Sequence, residues 1–270
     1  VAVSLGITYK KLNNLQKALG HYENALQIYG ELGGNGGRGA TLTNMGTIFR
    51  DAGQFQDALG YYQKSLPLQR LTKNKESEAK TLNGIGECYL GMGNVAEAFK
   101  FVQQAYNIWL TLGGNQDRVR TTYNLGRIYI SNSETQKGAD LLNKALTDSR
   151  QYKNPILEGD ILEAIADYHY NNGEIPKSLQ IREQIFNAFQ NAKAFSVTAY
   201  RRLGAISKLI FTFAAVGDFI SAQGYAKVAL EAARKENEPY LLLTILLNQG
   251  ELFSDQGRYT EAAKNFNEAL

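Results

Sequence analysis

LGITY at Leu5 to Tyr9 returns as MGTIF at Met45 to Phe49, as IGECY at Ile85 to Tyr89 and as LGRIY at Leu125 to Tyr129, each 40 residues after the last. The register continues at Ile165-Ala166 with His169, slips by four residues to Ile210 with Phe213, and returns 40 later at Gly250 with Phe253. Twelve residues beyond the glycine position a small residue always stands: Ala18, Ala58, Ala98, Gly138, Ser178, Ala222 and Ala262. Seven further on come Ala25, Ser65, Ala105, Ala145, Ile185, Ala229 and Ala269. Between the two sets lies a breaker: Asn13, Gly53, Gly93, Ser133, Gly173, Gly217 or Gly257. Each unit therefore reads as helix, tight turn, helix. Glycine on the first helix facing alanine on the second lets the axes approach, and the aromatic three residues later fills the space beside them. One such hairpin cannot bury its apolar faces alone, so it must stack on its neighbours.

Seven units fit the chain as a single array over 1–270, at about 1–36, 37–76, 77–116, 117–154, 155–193, 194–238 and a truncated 239–270. The sixth carries four extra residues, around 191 to 205. Units five and six also replace the glycine with Ala166 and Ile210, the aromatic with His169 and an apolar position with Arg182, which predicts altered stacking there. Pro155 and Pro239 fall where a first helix begins and Pro176 in the first turn of a second helix, where no intrahelical donor is lost. Pro67 falls inside a second helix and is expected to kink or shorten it.

Composition excludes several classes. With 26 Gly, only four Pro, 44% hydrophobic and 20% charged residues, the chain is neither collagenous nor disordered. One cysteine, Cys88, excludes a disulfide framework and a multi-thiolate zinc site, and two histidines leave little acid-base material near neutral pH. A net charge of +3 is too small to argue for nucleic acid, and no apolar run reaches the length of a membrane span. The chain opens at Val1 with no signal-peptide pattern, which reads as a piece of a longer, cytoplasmic protein.

The recurring small, aromatic, small, large apolar and small positions resemble the tetratricopeptide repeat along essentially the whole chain. The period is 40 rather than the usual 34, and the proline that often closes a unit is absent. That spacing is similar to the longer-helix repeats of kinesin light chains, LGN-type polarity adaptors and many bacterial regulators. YYQKSLPLQR at Tyr61 to Arg70 with TLNGIG at Thr81 to Gly86 looks most like cyanobacterial arrays, which often precede a caspase-like CHAT protease or another effector domain. The resemblance implies an all-α, right-handed α-solenoid. It implies a non-enzymatic scaffold for a protein or peptide, the sensor or adaptor segment of a larger bacterial regulator with an effector domain outside these residues. Two other classes compete: an intracellular receptor for a short signalling peptide, resembling Rap proteins, and an architectural array that associates with copies of itself. The sequence leaves the oligomeric state open.

Candidate chemistry is sparse. Gly34-x-Gly36-x-x-Gly39 satisfies a dinucleotide-binding expression but lacks the preceding strand, so GGNGGRG at Gly33 to Gly39 reads as a helix cap and flexible connection, like LGGN at Leu112 to Asn115. Cys88 occupies a position that is mostly apolar in other units and reads as a buried structural thiol. His21 and His169 stand where other units carry Tyr or Phe, so both read as packing residues, and no cofactor or metal set emerges.

The inward stripe of the first helices remains. One position carries Ser4, Asn44, Gly84, Asn124, Ala164, Lys208 and Asn248, the place before it adds Asn83, Tyr123 and Glu163, and three residues beyond come Ile7, Thr47, Glu87, Arg127, Asp167, Phe211 and Glu251. An asparagine amide both donates and accepts, so it can pair with a peptide backbone, and Arg or Lys nearby can take a carboxylate. The resemblance implies inner-face asparagines as peptide contacts: Asn44, Asn83, Asn124 and Asn248, with Arg50, Tyr123 and Arg127 beside them. Lys10, Arg50, Lys80, Arg120 and Arg127 precede Asp160, Glu163, Asp167, Glu251 and Asp255 along this stripe, a polarity expected to place the acidic part of a ligand toward the N-terminal half.

Overall fold

A computed structural model of the chain describes residues 1–191, 199–236 and 239–270, and every element in them is an α-helix. They group into two compact units, Val1–Asp148 and Ser149–Leu270. The first holds the hairpins α1 (Ala2–Lys11) with α2 (Leu15–Glu31), α3 (Asn35–Asp51) with α4 (Phe55–Leu71), α5 (Lys75–Gly91) with α6 (Val95–Leu112), and α7 (Gln116–Ser131) with most of α8 (Thr135–Gln151). The second holds α9 (Pro155–Asn171) with α10 (Ile175–Asn191), α11 (Ala199–Ala215) with α12 (Phe219–Glu236), and α13 (Pro239–Asp255) with α14 (Tyr259–Ala269).

Local signals start and stop these helices. Asn14, Asn74, Asn94, Asn115 and Asn154 cap five N-termini, each side chain accepting from the backbone N–H three residues on. Every breaker takes the left-handed conformation, with φ from 56° at Asn13 to 77° at Gly173 and Gly217. Glycine adopts it freely; Asn13 and Ser133, at φ 56° and 67°, do so against the steric cost of a Cβ.

The glycines make room, though mainly for a larger residue than expected. A Cβ on Gly6 would lie 2.4 Å from the Tyr22 ring, on Gly46 2.8 Å from Tyr62, on Gly86 2.3 Å from Val102 and on Gly250 2.4 Å from Phe266. The partner is thus the residue sixteen positions later, one turn past the small residue. Only where that small residue is itself Gly138 do backbones meet: a Cβ there would lie 2.6 Å from the Gly126 carbonyl oxygen. Beside each contact an aromatic pair bridges the hairpin. Tyr9 stacks on His21 at 5.2 Å, Phe49 on Tyr61 at 5.1 Å, Tyr89 on Phe101 at 5.6 Å and Phe213 on Tyr225 at 5.3 Å. In the first unit successive first helices also touch, α1 on α3, α3 on α5 and α5 on α7, giving one continuous face.

Three expectations are corrected. Pro67 neither ends nor shortens its helix, because α4 continues through it to Leu71. Of GGNGGRG only Gly33 and Gly34 form the connection; Gly36, Gly37 and Gly39 lie in the opening turns of α3, where a Cβ on Gly37 would strike the Tyr29 ring at 2.4 Å. Ile185 and Ile210 are accommodated in the core with 0% and 1% exposure. The insertion around 191 to 205 falls largely outside the described residues.

Replacing Ser133 by Gly is expected to stabilise the first unit by about 1 kcal/mol, since the left-handed backbone is kept and the Cβ penalty removed. Gly138→Ala is expected to destabilise it by roughly 1–3 kcal/mol despite alanine's better helix propensity. Urea unfolding of both variants checks the pair, and the opposite sign in either refutes the packing account.

Candidate functional site

The inner stripe of the first unit is a connected polar chain. Lys10 at the end of α1 pairs with Asp51 at 2.9 Å, Asp51 takes the neighbouring Arg50 guanidinium at 2.6 Å, and Arg50 reaches across to Glu87 on α5. The other Glu87 oxygen accepts from Asn124 Nδ2 on α7 at 2.8 Å, and the same nitrogen donates to Asn83 Oδ1 at 3.1 Å. Asn83 and Asn124 are 6% and 2% exposed, so their amides are spent on one another and on Glu87. Burial disfavours the Arg50 charge, but the Glu87 and Asp51 carboxylates outweigh it and hold the guanidinium firmly ionised. The same cluster leaves the Asp51 carboxyl below the usual range, burial notwithstanding.

Asn44 is placed differently. It is half-buried, its side chain has no hydrogen-bond partner among the described residues, and it lines a cavity of about 360 Å³ with Ile7, Lys10, Lys11 and Tyr22. Tyr123 is half-buried on α7 and Arg127 is exposed one turn on, its guanidinium 5.4 Å from the Tyr123 ring centre. The expected basic stripe is largely neutralised: Lys10 and Arg50 are paired as above, and Lys80 pairs with Glu76 at 2.8 Å and Asp117 at 3.1 Å. No net polarity of the inner face survives that pairing.

In the second unit the sequence exception at 182 finds its reason. Arg182 on α10 is 6% exposed, meets Asp167 of α9 at 2.6 Å and donates to the Thr212 hydroxyl of α11. Lys208 of α11 spans Asp167 at 3.1 Å and Glu163 at 3.0 Å. Burial opposes the Lys208 charge, yet those two carboxylates hold its ammonium above the ordinary lysine range; Glu163 is pushed up by burial, with Lys208 acting against the shift. A substitution of an apolar position by arginine, fifteen residues after an aspartate on the ladder, was the available signal. Asn248 is half-buried with Nδ2 shielded from solvent and unpartnered.

The residues considered for chemistry are structural. Cys88 is fully buried and burial pushes its thiol up to about 12, so no thiolate is available near neutral pH. His169 Nδ1 lies 2.5 Å from Glu174 across the turn between α9 and α10, and His21 stacks on Tyr9. Trp109 is 1% exposed against Ala79, Leu82 and Ala105, so its emission reports on core packing. Among the described residues no set of His, Cys, Asp and Glu is grouped to hold a metal, and no helix is long and apolar enough to cross a membrane.

Fold and site together define a helical-repeat protein whose face is built by the first helix of each hairpin. The sequence matches the tetratricopeptide repeat family over residues 1–70 and 77–151, and the chain belongs to that family. No curated protein matches it. Among solved structures it is similar to a Signal Transduction ATPase with Numerous Domains (STAND) protein with a tetratricopeptide repeat sensor from Pyrococcus horikoshii, at 15% identity and TM-score 0.74, covering 99% of this chain and 40% of that one. It is similar to a Rap protein in complex with competence and sporulation factor at 13% identity and TM-score 0.69, covering 94% and 82%. A kinesin light chain-type repeat protein of Podospora anserina matches at 18% identity and TM-score 0.58, covering 73% of this chain and 95% of that one.

Asn124→Ala removes both bonds of the buried amide and strands Asn83 and one Glu87 oxygen, which is expected to cost about 1–3 kcal/mol. Thermal and urea unfolding measure it; a loss below about 0.5 kcal/mol, the scale of an ordinary surface change, contradicts the network.

Proposed function

We propose that this chain is a non-catalytic scaffold that takes an extended peptide or protein segment along the face of its first helices, as the sensor or adaptor segment of a larger regulatory protein. The observation that carries the reading is the cavity between α1 and α3: Asn44 brings an amide with no internal partner, Ile7 an apolar wall, and Lys10 and Lys11 positive charge at its rim. An uncommitted donor and acceptor beside apolar surface suits a polypeptide backbone with a side chain attached. Arg127 stacked over Tyr123 offers a second contact of mixed aromatic and cationic character. Asn83, Asn124 and Arg50 act one step back, holding neighbouring first helices at fixed separation so that the contacting groups keep their spacing.

The similar solved structures support this role at the level of fold: one carries its repeats as the sensor of a multidomain ATPase, and another holds a bound factor. The fused effector and the regulatory context are part of the proposal. Receptor and adaptor differ here only in the length of the ligand.

Capture of peptides from a random short-peptide pool tests the reading. The intact chain is expected to retain a subset, and Asn44→Ala to reduce capture severalfold with an unchanged melting curve, because Asn44 holds no structural bond. Absence of capture, or capture indifferent to Asn44, overturns it.

A further inference from the structure

The repeat register fixes which residues meet across neighbouring first helices. Glu87 meets Asn124, 37 residues later, and Asp167 meets Lys208, 41 later once the four-residue slip is counted. By the same register Asn248 on α13 faces Phe211 on α11, helices that pack directly on each other. Phe211 occupies the place of the carboxylate acceptor, which accounts for the Asn248 amide nitrogen having no partner. An aromatic ring 43% exposed therefore lies beside an unpaired donor.

Charge completes the arrangement. Glu251 and Asp255 are exposed one and two turns beyond Asn248, and neither has an ion pair among the described residues. They stand four residues apart on a helix whose sequence, PYLLLTILLNQGELFSD, contains no Lys or Arg, so their mutual repulsion is uncompensated within α13. Other acidic side chains on this stripe, Asp51, Glu87, Asp117, Glu163 and Asp167, are all paired. Lys208, one turn before Phe211, is the nearest cation and is held by Glu163 and Asp167.

We infer that Phe211, Asn248 and Glu251 form a site for a basic side chain of a bound peptide, a reading that rests on the scaffold function proposed above. The guanidinium or ammonium lies over the Phe211 ring and against Glu251, with Asp255 adding longer-range attraction, and a carbonyl of the adjoining backbone accepts from Asn248. The exposed π face and the unneutralised carboxylate both favour a cation, and the missing acceptor is the group every peptide unit carries. The chain already uses the same pairing internally, with the Arg258 guanidinium 4.4 Å from the Phe253 ring centre.

Acetylated and amidated Ala-Arg-Ala and Ala-Glu-Ala, titrated into the intact chain at millimolar concentration and followed by NMR at the Asn248 amide and the Phe211 ring, test the site. The arginine peptide is expected to give saturable shifts at both and the glutamate peptide none. Phe211→Leu, which keeps apolar volume but removes the π face, is expected to weaken binding about two- to fivefold. Glu251→Gln should weaken it further and remove most of its salt dependence. Equal shifts from both peptides, or affinity untouched by either substitution in chains of unchanged circular dichroism, overturn the inference. Shifts at the Asn44 amide with none at Phe211 and Asn248 overturn it while leaving the scaffold reading standing; silence at all three refutes both.

Discussion

The close approach of the two helices in each hairpin is the constraint on which the rest depends. A large side chain from the second helix, Tyr22, Tyr62, Val102 or Phe266, lies where a Cβ of the first-helix glycine would be, so the ring or branch covers bare backbone. Dense contact of this kind is how thin helical layers reach the packing density of a globular core. It also reaches into the next hairpin. Tyr62 fills the space over Gly46 and over Gly84, where a Cβ would lie 2.6 Å from the ring. Position 84 is therefore glycine where its equivalents 44 and 124 are asparagine. In the neighbouring hairpin the smaller Val102 replaces the tyrosine, and Asn124 fits.

Core packing thus decides which rungs of the inner face can carry a polar group, and the polar groups then decide how the rungs are joined. Lys10, Asp51, Arg50, Glu87, Asn124 and Asn83 run without a break over α1, α3, α5 and α7. Such a chain, with most of its members half-buried or buried, stabilises only while every member is satisfied, because a stranded charge or amide pays the desolvation penalty without return. Asp167, Arg182, Lys208 and Glu163 do the same for α9, α10 and α11, with the guanidinium almost wholly enclosed.

Most of the fold was legible because the repeat is a direct image of the packing: the breakers became left-handed turns, the small residues became helix crossings, and the aromatic position became a stacked pair. What stayed hidden was reach. The alanine twelve residues on from each glycine was visible as a small residue, but the large residue sixteen on varies as Tyr, Tyr, Val, Leu and Phe, and variation at one position hides a shared role. The asparagines were legible as inner-face residues and not as donors to one another, since Asn83 lies one place out of register and the bond to Glu87 joins two ladder positions 37 residues apart. Pro67 misled because its position in the middle of α4 said nothing about the tertiary contacts that keep the helix running.

These two outcomes for the same residue type give the inner face its division of labour. An asparagine opposite a carboxylate, as Asn124 is opposite Glu87, is consumed by the fold. An asparagine opposite an apolar residue, as Asn44 is opposite Ile7 and Asn248 opposite Phe211, keeps its amide uncommitted beside exposed carbon. The identity of the residue 37 positions earlier therefore sorts structural rungs from contacting ones, and it does so within each compact unit separately. A ligand can gain nothing by competing for an amide already held by an ionised carboxylate, whereas an unpaired amide rewards any acceptor that reaches it.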